Sequence, residues 1–469
     1  MIVASNVKEY QDELQDLCNF FGDENIEITL NETREGQKIQ DNFNVIYNNQ
    51  NKEYNFAYSI DDELDELRDK SLRKRKIKNF LYLILSNLLN KKLVWGSLTG
   101  IRPTKFARTL IQAGEVKEHL VTEALEKDYY VSESKAKLTS MILKNQKCII
   151  KNDNLVDLYI NIPICPTRCL YCSFISHEIS AVQNKVEKYI DCLIKELGAV
   201  KDIVKKKAYI IRTIYIGGGT PSVLTDKQLD RLLNSVNFPV DEFTVECGRP
   251  DTITAEKLDV LKKHKVTRIS INPQTFCEAT LKRIGRKHKN SQVIEAYSLA
   301  LERGFKVNMD VIAGLPGEKF GTFKRTITTL LELYPDNITV HTLSIKRGSL
   351  LQKENDIIGT CDEESIEKMI DYAQKILIDN GYKPYYIYRQ KHQLGGLENV
   401  GYYRDDGICI FNIDSMEETN SIIGVGAGAM SKRVFNLDNR LEREYNCKFL
   451  DDYINRIDEA IEKKIKFFS

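Results

Sequence analysis

Between residues 155 and 345, short β-rich runs alternate with longer stretches of helical periodicity, and no other feature of the 469-residue chain restricts its fold as tightly. The runs are VDLYINIP (156–163), TIYIGGG (213–219), FTVECG (243–248), TRISINP (267–273), KVNMDVIAG (306–314) and NITVHTLS (337–344). Each ends in Gly, Pro or a polar residue. Six strands alternating with helices make a parallel α/β domain whose spacings suit right-handed crossovers. The expected architecture is an open or partial (β/α)6 barrel, not a closed eightfold one. Glycine and polar signals gather where each strand ends, the edge at which parallel sheets and barrels build their sites.

The flanks read differently. Residues 1–150 mix polar strand-like pieces (NFNVIYNN, YNFAYSI) with helical ones, which predicts an N-terminal α+β accessory domain. Its basic run KSLRKRKIKNF (70–80) reads as a solvated helix face, because no aromatic platform interleaves with it. GSLTGIRPTKFAR (96–108) reads as an ordered loop from which Arg102 and Lys105 can reach an anion. After the core, taken as 151–350, residues 351–469 combine a helix, the aromatic stretch YKPYYIYRQKHQ, the glycine-rich GGLENVGYY and IIGVGAGAMSK, and a final charged helix. A small, mostly helical C-terminal region is expected there.

Composition removes whole classes of function. Lys plus Arg (68) nearly cancels Asp plus Glu (67), so no broad polyanion-binding surface and no nucleic-acid partner is expected. The longest apolar segment, FLYLILSNLL (80–89), is about half the roughly 20 residues that span a bilayer. The first residues lack a basic stretch followed by an apolar core, so a cytoplasmic protein is expected. Eleven cysteines, an odd number without a signal segment, argue for reduced thiols, some of them ligands.

Three of those cysteines stand together in CPTRCLYC, residues 165–172. A closed structural zinc site needs four Cys or His ligands, and His177 is the nearest candidate for a fourth. A four-iron cluster accepts three thiolates and keeps one iron open, where a small molecule can coordinate and receive an electron. The loop leaves the first strand of the α/β domain at its C-terminal end. Pro163 and Pro166 block continuation of helix or sheet, leaving the thiols on an irregular loop that can wrap a cluster.

This Cys-x3-Cys-x2-Cys loop on a partial βα barrel resembles the signature of the radical S-adenosylmethionine superfamily. The resemblance implies a [4Fe-4S] cluster on Cys165, Cys169 and Cys172, with S-adenosylmethionine on the open iron. It further implies cofactor contacts from Tyr159 and Tyr171, from the turn Gly217-Gly218-Gly219-Thr220, and from Glu246, Gln274, Arg286 and Asp310. Glycine at the turn lets bare backbone approach the methionine amino group.

The order YINIPICPTRCLYC, IGGGTPS, VECGRPD, RISINPQTF, IGRKH, MDVIAGLPGE is similar to the oxygen-independent coproporphyrinogen oxidase group. TGIRPTKFA upstream, with HTLSIKRGS, YYIYRQK, GLENVGY and GAGAMSK downstream, resembles its HemZ-type coproporphyrinogen dehydrogenase-like branch. That implies oxidative decarboxylation of coproporphyrinogen III to protoporphyrinogen IX, a tetrapyrrole substrate, and an electron donor such as flavodoxin or ferredoxin. Four substrate carboxylates call for cations, and Lys346, Arg347, Arg389 and Lys391 are the candidates. Tyr385, Tyr386 and Tyr388 can pack on a macrocycle or form a core stripe.

Two departures keep a haem-binding or haem-transfer protein as the alternative. The oxidases carry a further cysteine two residues after the third ligand and a histidine near the end of the first strand; this chain has Phe174 and Asn161. The haem-binding branch in turn has a His-Asn-x-x-Tyr-Trp motif, where this chain has Glu398-Asn399-Val400-Gly401-Tyr402-Tyr403 and its one tryptophan is Trp95. An RNA-modifying radical enzyme is the third reading, disfavoured by the balanced charge.

Overall fold

The computed structural model describes the chain except for residues 23, 61–65, 101, 147, 175–176, 346–348, 354–360, 391–393 and 437–439. It divides into two compact units, one of Met1–Ser140 with Gly395–Leu397, the other of Met141–Leu394 with Glu398–Ser469.

The first unit is built on strands β1 (Ile2–Ser5), β2 (Ile26–Glu35), β3 (Lys38–Tyr47) and β4 (Gln50–Ser59), paired in that order. Asn48 and Asn49, both at positive φ, turn β3 into β4, a conformation Asn tolerates better than most side chains. Strand β2 alternates buried and exposed residues, so Ile26, Ile28 and Leu30 share one face. Against it pack Leu14 and Leu17 of the helix Gln11–Phe21, with Leu81 and Leu85 of the helix Glu66–Leu89. Each fully buried leucine contributes about 1.5–3 kcal/mol. Within the basic run, Arg73 pairs with Glu32, and Arg75 with Glu115 at 2.9 Å. Those two cations serve ion pairs of this unit.

The second unit centres on one large sheet. Its parallel core comprises β5 (Leu155–Ile162), then, after the short β6 (Ile164–Cys165) and β7 (His177–Glu178), β8 (Ile210–Gly218), β9 (Glu242–Glu246), β10 (Arg268–Ser270), β11 (Lys306–Ala313) and β12 (Asn337–Thr342). These six core strands fall on the six runs expected from the sequence. They lie side by side in the order β5-β8-β9-β10-β11-β12, every neighbouring pair parallel. The fold is a mixed α/β one, and pairing among the described residues does not return from β12 to β5.

The C-terminal stretch carries more strand than its sequence suggests. Strands β13 (Lys383–Arg389) and β14 (Glu398–Tyr403) extend the β12 side antiparallel, while β15 (Ser421–Val425) pairs in parallel with β5 and leads to β16 (Met430–Phe435) and β17 (Arg440–Tyr445). Four α-helices among the described residues, including Glu363–Asp379 and Ile457–Phe467, accompany them after residue 360. The strands are hard to see because β16 and β17 are charged outer strands, and β14, ENVGYY, is wholly buried although it contains Glu and Asn. Tertiary partners decide these cases: Asn399 Oδ1 accepts from the Thr342 amide at 2.9 Å. A buried ion pair locks the helix Ile410–Glu417 to β8, Arg212 donating to both Asp414 oxygens at 2.9 and 3.1 Å.

Candidate active site

The cysteine loop begins where β5 ends. Strands β6 and β7 pair in parallel at its two ends, Ile164 with His177 and Cys165 with Glu178, and so pinch the loop shut. The turn after β8 seals one side: the Gly219 amide donates to Ile162 O and the Thr220 amide to Ile164 O, each at 2.8 Å, and Thr220 Oγ1 reaches Cys165 Sγ at 3.5 Å. The glycines are needed for this approach. A Cβ on Gly219 would sit 2.5 Å from Ile164 O, and one on Gly218, whose φ is +110°, would sit 1.9 Å from Asn161 Oδ1. Bare backbone here serves the protein's own strand packing.

Cys165, Cys169 and Cys172 line one cavity of about 370 Å³. Burial pushes the Cys172 thiol up to about 11, with Cys169 and Cys165 close enough to add to the effect. Among the described residues, no three His, Cys, Asp or Glu side chains converge tightly enough to hold a single ion. Three thiol donors lining one cavity suit a four-iron cluster that keeps one iron open.

The same cavity collects residues from the end of every core strand. Gly218, Gly219, Thr220, Glu246, Gln274, Arg286, Asp310 and Tyr171 all line it. Glu246 Oε1 accepts from Tyr215 Oη at 2.6 Å, and burial pushes its pKa up to about 7 against that bond, with Asp310 nearby adding to the rise. Gln274 sits at positive φ just after β10, bridged to Val311; its side chain is over nine-tenths buried and its Oε1 has no partner. A buried acceptor left bare in a cavity costs about 1–3 kcal/mol, so it suits a ligand that supplies a donor. Arg286 fastens the cysteine loop to two strand ends, donating to Tyr171 Oη at 3.0 Å, Gly248 O at 2.6 Å and Asn272 O at 3.0 Å.

Asp310 is held from both sides. Asn308 donates to Oδ1 at 2.7 Å, and His341 Nε2 stands 3.6 Å from Oδ2. Burial works to raise this carboxyl, but His341 and Asn308 outweigh it and hold it below the ordinary value.

Other expected residues lie elsewhere. Tyr159 lies beside the stacked rings of Tyr215 and Phe411 and donates to Asn161 Oδ1 at 3.1 Å, away from the cavity lining, which Gly217 also does not join. Asn161, in turn, donates to Ala427 O, so it ties β5 to the GAGA turn. Arg389 is buried on β13 beside Glu398, outside the lining, and burial pulls its pKa down to about 10. Lys346, Arg347 and Lys391 lie outside the described residues. Tyr386 and Tyr388 reach the cavity, whereas Tyr385 turns into the core against Tyr403. Phe174 is 66% exposed on the rim.

Sequence reasoning missed Tyr215, Asn272, Asn308, Thr339 and His341, all in the lining. For Asn308, Thr339 and His341 the signal is polar residues two apart within otherwise apolar strands, Asn308-x-Asp310 and Thr339-x-His341, which places each pair on one face of the sheet. Tyr386 joins them by crossing a neighbouring strand. The register sets Tyr386, Gly401 and Thr339 in one row, the ring lies over Gly401 where a Cβ would be 1.8 Å away, and its hydroxyl meets Thr339 Oγ1 at 3.2 Å.

A parallel barrel-like sheet with three cysteines on its first loop and glycines on its second turn defines the radical S-adenosylmethionine class, and the radical SAM superfamily model matches residues 159–330. Proteins of this superfamily use a [4Fe-4S] cluster and S-adenosylmethionine. The chain is 38% identical over 408 residues to the oxygen-independent coproporphyrinogen-III oxidase-like protein HemZ of Bacillus subtilis, covering 84% of this chain and 81% of that protein. It therefore belongs to the HemZ-type, coproporphyrinogen-III oxidase-like family of radical SAM proteins. The heme chaperone HemW of Lactococcus lactis is 32% identical over 52% of this chain and 66% of its own length. The solved structure of coproporphyrinogen III oxidase (HemN) from Escherichia coli shares the fold, with a TM-score of 0.53, 21% identity, and 70% of this chain and 73% of that one covered. No helix among the described residues is long and apolar enough to cross a membrane.

Proposed function

We propose that this protein oxidatively decarboxylates coproporphyrinogen III, or a close tetrapyrrole, without oxygen. The observation that carries this reading is the 38% identity to an oxidase-like protein along most of both chains. Cys165, Cys169 and Cys172 would hold the cluster, and the Gly218–Thr220 turn, Glu246, Gln274, Arg286 and Asp310 would hold S-adenosylmethionine. Bound together, the two groups supply one-electron cleavage of the sulfonium and a carbon radical able to take a hydrogen atom. On the substrate, loss of that hydrogen from a propionate β-carbon, followed by loss of CO2 and of one electron to an acceptor, leaves a vinyl group.

The chain's own residues would orient and insulate. Ionised Asp310 suits hydroxyl donors, Gln274 Oε1 a donor it now lacks, and Glu246 an ammonium, whose charge would draw its carboxyl back toward ionisation. Tyr386 and Tyr388, stacked 6.3 Å apart at 5°, offer a flat apolar wall facing that cradle. A flavodoxin or ferredoxin is the expected electron donor.

Similarity to a heme chaperone, together with Phe174 in place of a further cysteine, supports a second reading as a haem-binding protein. One anaerobic assay separates them. The cluster-loaded protein is given reductant, S-adenosylmethionine and coproporphyrinogen III. Formation of 5′-deoxyadenosine coupled to vinyl products supports the enzyme; stoichiometric haem uptake without turnover refutes it.

A further inference from the structure

His341 bridges two cavity residues from different strands. Its Nδ1 lies 3.3 Å from Tyr388 Oη on β13, and its Nε2 faces Asp310 Oδ2 on β11. A carboxylate beside Nε2 favours the tautomer with hydrogen on that nitrogen, which leaves Nδ1 to accept from the tyrosine. On the other side, Tyr386, Thr339 and Asn308 form a second chain: the Tyr386 hydroxyl meets Thr339 Oγ1, which reaches Asn308 Oδ1 at 3.1 Å, and Asn308 Nδ2 donates to Asp310 Oδ1. Both Asp310 oxygens are thereby oriented by neighbours that also line the cavity.

We propose that His341 is a positioning residue for the cofactor site: backed by Tyr388, it fixes the Asp310 carboxylate so that its free lone pairs face the nucleoside hydroxyls of S-adenosylmethionine. This rests on the proposed role of Asp310. His341 itself need touch neither cofactor nor substrate. Partners that orient a ligating group in this way typically change affinity 10–100-fold when removed. The two chains act on separate oxygens, so removing the histidine leaves Oδ2 without its neighbour while Asn308 still holds Oδ1.

The test titrates S-adenosylmethionine into cluster-loaded, reduced protein and follows the electron paramagnetic resonance signal of the cluster, with iron content checked first. His341→Ala should weaken binding about tenfold at unchanged iron content. His341→Gln, whose amide nitrogen falls near the imidazole Nε2 position, should restore most of it, which a role in packing alone would not produce. Tyr388→Phe should give a smaller loss, about threefold. Asp310→Asn is the reference. If Asp310→Asn weakens binding and His341→Ala does not, His341 does not position the carboxylate. If Asp310→Asn binds as tightly as the parent, the role of Asp310 itself fails, and the inference with it. Should His341→Ala fail to load iron, the Gln and Phe variants decide: parent-like affinity in His341→Gln with a loss in Tyr388→Phe supports the proposal, and full affinity in Tyr388→Phe overturns it.

Discussion

Alanine at two glycines of the second unit should act in opposite directions. At Gly219 the new Cβ would meet Ile164 O at 2.5 Å, N at 2.7 Å and C at 2.8 Å, all of them backbone of β6. Ordinary contact begins near 3.4 Å, so strand and turn must part by about 0.9 Å, the difference between 3.4 and 2.5 Å. The Thr220 amide bond to Ile164 O, now 2.8 Å, would stretch to about 3.7 Å and cease to be a hydrogen bond. Its loss costs about 0.5–1.5 kcal/mol and overpacking about 1–3 kcal/mol, so Gly219→Ala should destabilise the protein by roughly 2–4 kcal/mol. Because Cys165 ends β6, the variant should also load less iron. Gly198 lies inside the helix Val186–Lys207 with nothing within 4 Å of its Cβ position, and Gly198→Ala should stabilise by about 0.5–1 kcal/mol. Urea unfolding of the unloaded protein, with iron and sulfide content after anaerobic reconstitution, reads both effects. A Gly219→Ala protein with parent stability and full iron would refute the close-approach argument.

The remaining predictions concern the thiols, a titration and a buried pair. Alanine at Cys165, Cys169 or Cys172 should abolish the visible absorbance of the reconstituted cluster, and an intact spectrum in any of the three would overturn the ligand assignment. Glu246 and Glu318 are both pushed up to about 7 by burial, so at these two sites the folded protein binds more protons than the unfolded chain between pH 4.5 and 7. The contribution of these two groups to the stability of the unloaded protein should therefore fall as pH rises through that window, by at most about 3 kcal/mol per group; Glu246→Gln should remove its share of that fall, and a pH dependence identical to the parent's would show that the carboxyl titrates normally. Arg212→Ala leaves Asp414 buried without its cation and should cost about 3–5 kcal/mol in urea unfolding; a loss under about 1 kcal/mol would mean the helix Ile410–Glu417 is held by packing alone.

How much of this was legible beforehand follows from the range of the interactions. The six core strands announce themselves locally, since each is a short apolar run closed by a breaker, and their parallel order follows from the helices between them. The cysteine loop is equally local, with all three thiols inside eight residues. The strands after 380 are not. Apart from β15, SIIGV, they mix polar, charged and aromatic side chains, and they become strands through partners far away in sequence, such as Asn399 with Thr342.

The divide runs through the site as well. The residues proposed to hold the cofactor sit at strand ends, where a motif marks them. The opposite wall is assembled by insertion of β14 between β12 and β13, which leaves Tyr386 and Tyr388 one strand too far from β12 unless something small intervenes. Gly401 supplies that gap for Tyr386. In the next row Asn399 lies between Tyr388 and His341, and it turns its carbonyl oxygen to the Thr342 amide and its amide nitrogen to Tyr388 O, both backbone groups. The segment GLENVGYY thus reads as glycine-rich and loop-like, yet its Asn and its Gly are what allow two aromatic side chains to cross a strand. A glycine flanked by apolar residues two positions after a buried Asn is intelligible only once the tyrosines it admits are known, so the wall that would face the substrate is a property of the assembled sheet and of no single stretch of sequence.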